Sequence, residues 1–239
     1  MRGKRGRLDR LLAVHLQIPR KSVRALLAEG RISLDGDTVS APDLQVDEFC
    51  KLALDGELLL GWDPVYLMLH KPAGILSATS DAEQATVMQL LPEALHPGLH
   101  IVGRLDKHSS GLVLLTNDSR WSESLMQPDA HVPKLYRVTL ANPIAPEAVQ
   151  AFAEGMYFDF EDITTRPARL VIEAPRVALV ELTEGRYHQI KRMFGRFRNP
   201  VVALHRLKVG NISLDASLAP GQWRHLGAAE VADARKIVE

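Results

Sequence analysis

Hydrophobic residues near the amino terminus follow two short helical periods. They recur three and four positions apart in two sets: Leu8, Leu11, Leu12 and Leu16, then Val23, Leu26 and Leu27. This spacing places each set on one face of a helix, and the following Gly30 is a typical helix stop. Short strand-like runs come next, at 31–34, 38–39 and across 51–60. We predict a small module of two helices and two strand pairs over residues 1–58.

From residue 66 onward the apolar runs are longer and alternate with helical patterns. The predicted strands lie at 66–69, 101–103, 112–116, 135–140, 170–173, 177–182 and 201–207. The predicted helices lie at 87–91, 119–126, 146–154 and 187–196. Several strands succeed one another without a helical crossover, which favours an α+β body with a mixed, largely antiparallel sheet flanked by helices. A Gly and a Pro within 59–65 predict a linker between the module and this body, 66–239.

Composition narrows the class of protein. The chain has 239 residues, 46% of them hydrophobic, which is enough for one large core or one large and one small core. A lone cysteine excludes an internal disulfide framework and a thiolate zinc site. No apolar run approaches the length of a membrane span. We expect a cytoplasmic protein that acts as a monomer without binding a membrane.

The formal net charge of zero conceals an uneven distribution. Residues 1–31 hold nine basic side chains against two acidic ones, whereas 32–65 are strongly acidic. A second basic block, 185–214, contains no acid at all. Two basic blocks in a neutral chain indicate two surfaces for one polyanion, because phosphate contacts gain from counterion release. The alternative is that these side chains are merely solvated on helix faces.

One acidic side chain lies in a basic, glycine-flanked turn. In HIVGRLDKHSSGLVLLTND, residues 100–118, Asp106 stands between Arg104 and Lys107, and an apolar run begins at Gly111. Asp106 is therefore predicted on a loop between two strands. Loop aspartates commonly bond their own backbone, so this stretch alone leaves a structural role open.

Longer stretches carry resemblances to known families. The segment PRKSVRALLAEGRISLDGDTV resembles the S4 RNA-binding domain, which presents basic residues to structured RNA. In this chain the corresponding side chains are Arg20, Lys21, Arg24 and Arg31. The blocks HKPAG, GRLDKHSSGLVLLTND, KLY and EGRYHQIKRMF occur in the order found in pseudouridine synthases of the RsuA branch, and the resemblance covers essentially the whole chain. LTNDSRWS, VVALHR and LDASLAPGQWR are most similar to branch members that act on small-subunit ribosomal RNA.

The resemblance implies roles for particular residues. Asp106 would be the catalytic carboxylate, Tyr136 would stack against the uracil, and Lys191 would be the cation that keeps Asp106 charged; Arg186 is the rival cation. Lys71 and Gly74, in the Lys71-Pro72-Ala73-Gly74 turn, would shape the uracil pocket.

Arg104 has two readings. It would either fill the gap left by an extruded base or grip a flanking phosphate; a salt bridge to Asp106 is the alternative. We expect His188 and Gln189 to contact backbone or core rather than to catalyse.

Isomerising uridine breaks the bond from base N1 to ribose C1′, turns the base and joins C5 to C1′. A carboxylate suits this chemistry, and no cofactor is required. The histidines lack ligand-like spacing, so no metal is predicted. The expected partner is ribosomal RNA of the small subunit or its assembly intermediate. The alternatives are a synthase acting on large-subunit or transfer RNA, a noncatalytic ribosome-assembly factor, and a nucleoside hydrolase or glycosidase.

Overall fold

A computed structural model describes residues 6–47, 49–159 and 161–234. The chain divides into two compact units on either side of the Pro64–Val65 junction. This junction falls within the linker predicted at 59–65. Three of the nine basic residues counted in 1–31 lie outside the described range: Arg2, Lys4 and Arg5.

The first unit combines two helices with short antiparallel strands. Its elements are β1 (Gly6–Arg7), α1 (Leu8–His15), α2 (Arg20–Ala28), β2 (Ile32–Leu34), β3 (Asp37–Thr38), β4 (Gln45–Val46), β5 (Leu52–Leu54) and β6 (Glu57–Leu60). Four of the strands form a sheet in the order β3-β2-β5-β6, and β1 pairs with β4. The predicted periodic leucines explain the core, since Leu8, Leu12 and Leu27 are buried against Ile32 and Leu52.

The second unit contains the longer elements. Its strands are β7 (Tyr66–Lys71), β8 (His100–Val102), β9 (Ser110–Thr116), β10 (Lys134–Leu140), β11 (Tyr157–Phe158), β12 (Ile163–Thr164), β13 (Arg169–Ala174), β14 (Val177–Leu182), β15 (Val201–Val209), β16 (Ile212–Ser213) and β17 (Trp223–His225). Its α-helices are α3 (Ser119–Met126), α4 (Glu147–Glu154), α5 (Gln189–Gly195) and α6 (Ala228–Asp233). Short 3₁₀ turns lie at Val87–Leu90, Glu93–Leu95 and Pro128–Ala130.

A nine-stranded sheet is the framework of this unit. Seven strands follow the order β13-β14-β10-β15-β9-β7-β17, while β8 pairs with β9 and β16 with β15. Strand β15 runs parallel to β9, and the other neighbours in the described sheet are antiparallel. The prediction of a mixed, largely antiparallel sheet flanked by helices is confirmed.

Helices and loops cover the central strands on both faces. Alternate residues of β9 enter two different cores: Val113 and Leu115 face α4 and α5, whereas Leu112 and Leu114 face α3. Because successive side chains of a strand point to opposite faces, burial on both sides requires an unbroken apolar run. The LVLL sequence of β9 is such a run. Within the described residues, no helix has the length and apolar character needed to cross a bilayer.

Candidate active site

Asp106 lies on the loop that joins antiparallel strands β8 and β9, as the sequence predicts. Gly111, just after the loop, has a φ of +108°, and a Cβ there would lie 2.3 Å from the backbone oxygen of Arg206. A side chain at position 111 would therefore collide with β15, which runs alongside. The glycine lets β9 and β15 approach closely at the base of the Asp106 loop.

Two buried cations hold this loop in place. The Arg206 guanidinium donates to the Leu112 carbonyl at 2.8 Å through Nε and to the Gly103 carbonyl at 2.8 Å through Nη2, so it joins the strands at both ends of the loop. The Lys71 ammonium donates to the carbonyls of Pro72, Lys107 and Ser109 at 3.0, 3.1 and 2.8 Å. Burying a charge is costly unless it is hydrogen-bonded, and here backbone carbonyls supply the acceptors.

The Lys71-Pro72-Ala73-Gly74 turn contacts the same loop. The Gly74 amide donates to the Lys107 carbonyl at 2.7 Å, and the Leu105 amide donates to Ser77 Oγ at 3.1 Å. Burial lowers the pKa of Lys71 to about 8, against an opposing attraction from Asp106. Its side chain is fully buried. The Lys71 ammonium thus supports the loop that carries Asp106 from inside the protein.

Two side chains from the start of α5 approach one oxygen of Asp106. Lys191 Nζ donates to Asp106 Oδ2 at 2.8 Å, and His188 Nε2 lies 3.3 Å from the same atom. Among the described residues, no hydrogen bond is made to Asp106 Oδ1. The carboxylate is about one-third exposed, as is Lys191. One carboxylate oxygen is therefore held by a cation, while the other accepts no hydrogen bond from the described residues.

The rival cation, Arg186, has a different partner. Its Nε donates to Glu184 Oε2 at 2.9 Å, and its backbone amide donates to Gln189 Oε1 at 3.2 Å. Gln189 in turn donates to the other oxygen of Glu184 at 2.6 Å. This network fixes the turn that leads into α5. In this geometry Lys191, and not Arg186, is the partner of Asp106. Gln189 is buried and bonds the backbone of Arg186, in line with the expected contact to backbone or core.

Tyr136 and Arg104 line the same pocket as Asp106, Arg186 and Lys191. Tyr136 projects from β10 and is only 8% exposed. Among the described residues, its hydroxyl has no hydrogen-bond partner. Arg104 is exposed and forms no ion pair within the described chain, so the alternative of a salt bridge to Asp106 is not observed.

Two arginines of the second basic block, 185–214, form ion pairs with acidic residues outside it. Arg192 pairs with Glu161 and stacks over the Phe158 ring, and Arg196 pairs with Asp159 at 2.9 Å. These acids belong to the β11–β12 hairpin, outside the block whose charges were counted. Part of the positive charge counted in 185–214 is therefore already compensated.

In the first unit, three arginines form ion pairs with buried Asp9. Arg20 Nη2 donates to Asp9 Oδ2 at 2.7 Å, Arg7 Nε lies 3.3 Å from Oδ1, and Arg24 Nη2 lies 3.5 Å from Oδ2. The bond from Arg20 is the main reason that the pKa of Asp9 falls to about 2. The arginine side chains remain 43–57% exposed.

The other two predicted contacts of this unit differ from each other. Arg31 is bound to Asp55 and Glu29 rather than free. Lys21 is exposed. The unit thus keeps cationic surface, but part of its charge is already compensated.

Sequence reasoning missed two residues of the site. Arg206 appeared only as one more member of a basic block, although a charged residue inside the apolar run VVALHRLKV was a usable signal. His188 was expected to contact backbone or core, and it lies instead beside the Asp106 carboxylate. Among the described residues, no three His, Cys, Asp or Glu side chains converge in a way that would hold a metal ion.

Comparison with known proteins gives consistent matches. Residues 65–195 match the family model described as RNA pseudouridylate synthase. The ribosomal small subunit pseudouridine synthase A of Pseudomonas aeruginosa is 47% identical over 226 residues, covering 94% of this chain and 98% of that protein. The protein of the same description from Escherichia coli K12 is 39% identical, covering 95% and 98%. A crystal structure described as pseudouridylate synthase is similar with a TM-score of 0.70 at 36% identity, covering 95% and 99%.

Proposed function

Since this chain belongs to the RNA pseudouridylate synthase family, we propose that it converts one uridine of small-subunit ribosomal RNA into pseudouridine. The relatives that share 39–47% of its residues over nearly the full chain are described as ribosomal small subunit pseudouridine synthases. The observation within the site that carries the proposal is the contact of 2.8 Å between Lys191 and one oxygen of Asp106. We further propose that the protein acts in the cytoplasm and as a monomer; Asp106, Tyr136 and Lys191 line one pocket of a single chain, so this set needs no residue from a second copy.

The reaction needs a group that acts on the ribose while the base turns. The free oxygen of Asp106, Oδ1, either adds to C1′ as the N1–C1′ bond breaks or removes the proton from C2′. The uracil then rotates. In the first route C5 bonds to C1′ as the Asp106 oxygen leaves that carbon, and in the second route the proton held by Asp106 returns to C2′ as C5 bonds to C1′. Loss of the C5 proton and uptake of a proton at N1 complete pseudouridine, with Asp106 unchanged. No oxidant, metal or leaving group enters this balance.

The neighbours of Asp106 each support one requirement of this scheme. Lys191 donates to Oδ2 and fixes the rotation of Asp106, so that Oδ1 is left for the substrate. Tyr136 supplies a flat face for the uracil, and its hydroxyl is available for proton transfer at C5. Gly74 and buried Lys71 hold the loop carbonyls behind Asp106.

The target base must leave its stack within folded RNA to reach Asp106. Arg104 is exposed beside the carboxylate and lacks an ion pair in the described chain, so it is the side chain we assign to the vacated position or its flanking phosphate. Arg186 lines the same pocket and is assigned to the RNA backbone. The first unit, residues 1–58 in our division, would dock structured RNA through Lys21 and the exposed parts of Arg20, Arg24 and Arg31.

The other candidate functions fit the site less well. A noncatalytic assembly factor has no need for a cation aligned on a pocket carboxylate. A glycosidase normally requires a second carboxylate, and among the described residues lining the pocket the only acid is Asp106. Large-subunit or transfer RNA as substrate remains an alternative within the same chemistry.

Replacing Asp106 by Asn tests the proposal. Pseudouridine is detected in small-subunit ribosomal RNA by carbodiimide treatment followed by reverse transcription, which also locates the modified position. Asp106→Asn should abolish formation while RNA affinity stays within a few-fold of wild type, because few phosphate contacts are lost. Asp81→Asn is the matched control, since Asp81 is an exposed carboxylate that bonds backbone amides of its own loop. Normal pseudouridine formation by Asp106→Asn would defeat the mechanism.

A further inference from the structure

An exposed tyrosine stands immediately beside the catalytic loop. Tyr187 is 75% exposed, more than any other large hydrophobic side chain of the described residues. It precedes α5 and lies in the chain between Arg186 and His188, which both line the pocket. A single exposed aromatic ring is common on protein surfaces, but the position of this ring, between two residues that line the pocket, makes it accessible to a strand that enters the pocket.

The ring of Tyr187 is held in a defined orientation by its neighbour. Its centroid lies 3.9 Å from that of the His188 ring, with an angle of 21° between the planes. His188 adopts a left-handed backbone conformation with a φ of +49°, which is uncommon for residues other than glycine. In this conformation the two consecutive rings stack face to face. One face of Tyr187 is therefore covered by an imidazole, and the other is open to solvent.

His188 also ties this stack to the reacting group, because its Nε2 lies 3.3 Å from Asp106 Oδ2. The open face of Tyr187 is thus one ring away from a side chain that touches the carboxylate. When the base of one nucleotide enters the pocket, the neighbouring nucleotides of the same strand come close to the open face of Tyr187. Arg104 and Arg186 lie at the same rim and suit the phosphates of such a strand.

We propose that Tyr187 is a stacking platform for an unpaired nucleobase adjacent to the target uridine. This inference rests on the proposed function, since it takes the strand that enters the pocket to be RNA. Stacking uses the flat face of any base, so the platform stabilises the extruded geometry of the strand without reading its sequence. The Tyr187–His188 stack places the platform in contact with the catalytic loop.

The test combines a protein change with an RNA change. An RNA fragment around the mapped uridine is made with the normal base, with 2-aminopurine or with an abasic residue at each flanking position. Affinities are measured in the Asp106→Asn background, so that no substrate is converted during titration. Tyr187→Ala should weaken binding of the normal fragment about 5- to 150-fold, the range for one stacked base. Tyr187→Phe should bind like the parent protein.

The abasic RNA separates stacking from a structural role. At the stacked position, the abasic fragment should bind Tyr187→Ala and the parent protein alike, because the interaction is already missing. The fluorescence of 2-aminopurine at that position should fall on binding the parent protein and remain higher with Tyr187→Ala. Tyr157→Ala, which removes another exposed tyrosine, is the control and should change neither measurement.

The outcomes distinguish the two proposals. Pseudouridine formation by wild type together with unchanged affinity of Tyr187→Ala overturns the platform alone. An equal loss of affinity on normal and abasic RNA at both positions also overturns it, because the tyrosine would then act through the fold. A wild-type protein that forms no pseudouridine in ribosomal RNA overturns the proposed function, and the platform with it.

Discussion

Replacing Lys191 by Met should slow the chemical step while leaving RNA binding nearly intact. The ammonium lies 2.8 Å from Asp106 Oδ2, and both side chains are about one-third exposed. Fully exposed ion pairs contribute about 0 to 1 kcal/mol, and breaking a buried pair costs about 3 to 5 kcal/mol. A hydrogen bond to a charged group at intermediate exposure is worth about 1.5 to 3 kcal/mol. The expected loss of rate is therefore about 10- to 150-fold.

Single-turnover kinetics at saturating enzyme measure this step. The RNA carries tritium at uridine C5, which is released when the C5 proton is lost after C5 has bonded to C1′. Arg186→Met is the matched control, because Arg186 lines the same pocket but pairs with Glu184. We expect its rate at saturation to stay within a few-fold of wild type and its affinity to fall. A wild-type rate for Lys191→Met, or a larger loss of rate for Arg186→Met, would refute this assignment of roles.

Three further predictions concern the framework around the site. Gly111→Ala should lower the free energy of unfolding by about 2 to 5 kcal/mol, because its Cβ would collide with β15 and its φ is positive. A melting temperature equal to that of wild type would contradict this collision. The pKa of Asp9 is lowered to about 2 from 3.8, so its ionised form stabilises the fold above pH 4 and this contribution is lost as pH falls from 4 to 2. Asp9→Asn should flatten that part of the acid-unfolding curve followed by circular dichroism, and an unaltered curve would contradict the Asp9–Arg20 bond. A chain starting near Gly61 should fold and bind RNA with a salt dependence of log affinity that is shallower by about 0.7 to 0.9 per lost phosphate contact, and an unchanged slope would show that the first unit does not touch RNA.

Elements with long apolar runs were predictable because burial of a central strand leaves a strong periodic signal. The strands at β7, β9, β10, β14 and β15 and the helices α3 and α4 were all predicted to within a few residues of their bounds. Strand β17 was missed because three residues, Trp-Arg-His, carry no period of their own. Its extended conformation is stabilised by antiparallel pairing with β7. The β11–β12 hairpin was missed for the same reason, with two residues in each strand.

Positions in the site were predictable where the residues next to them in the sequence form a recognisable pattern. The loop position of Asp106 follows from the glycines and the apolar strand beside it, and that expectation is confirmed. Residues whose role depends on a distant partner were harder to identify. Arg206 matters because it reaches the carbonyls of Gly103 and Leu112, and Arg192 is compensated by Glu161, which is 31 positions away. Charge counted along a sequence does not include such pairings.

The bridge from Arg206 to the Asp106 loop has a consequence for the timing of synthesis. Ribosomes make the amino-terminal part of a chain first, and Arg206 follows Gly103 by 103 residues. Until β15 has emerged and aligned with β9, the loop that carries Asp106 lacks its guanidinium clamp. Asp106, Tyr136 and Lys191 are all translated before Arg206, which follows Lys191 by 15 residues. We therefore expect the loop to reach its final geometry only after the whole of β15 has been added.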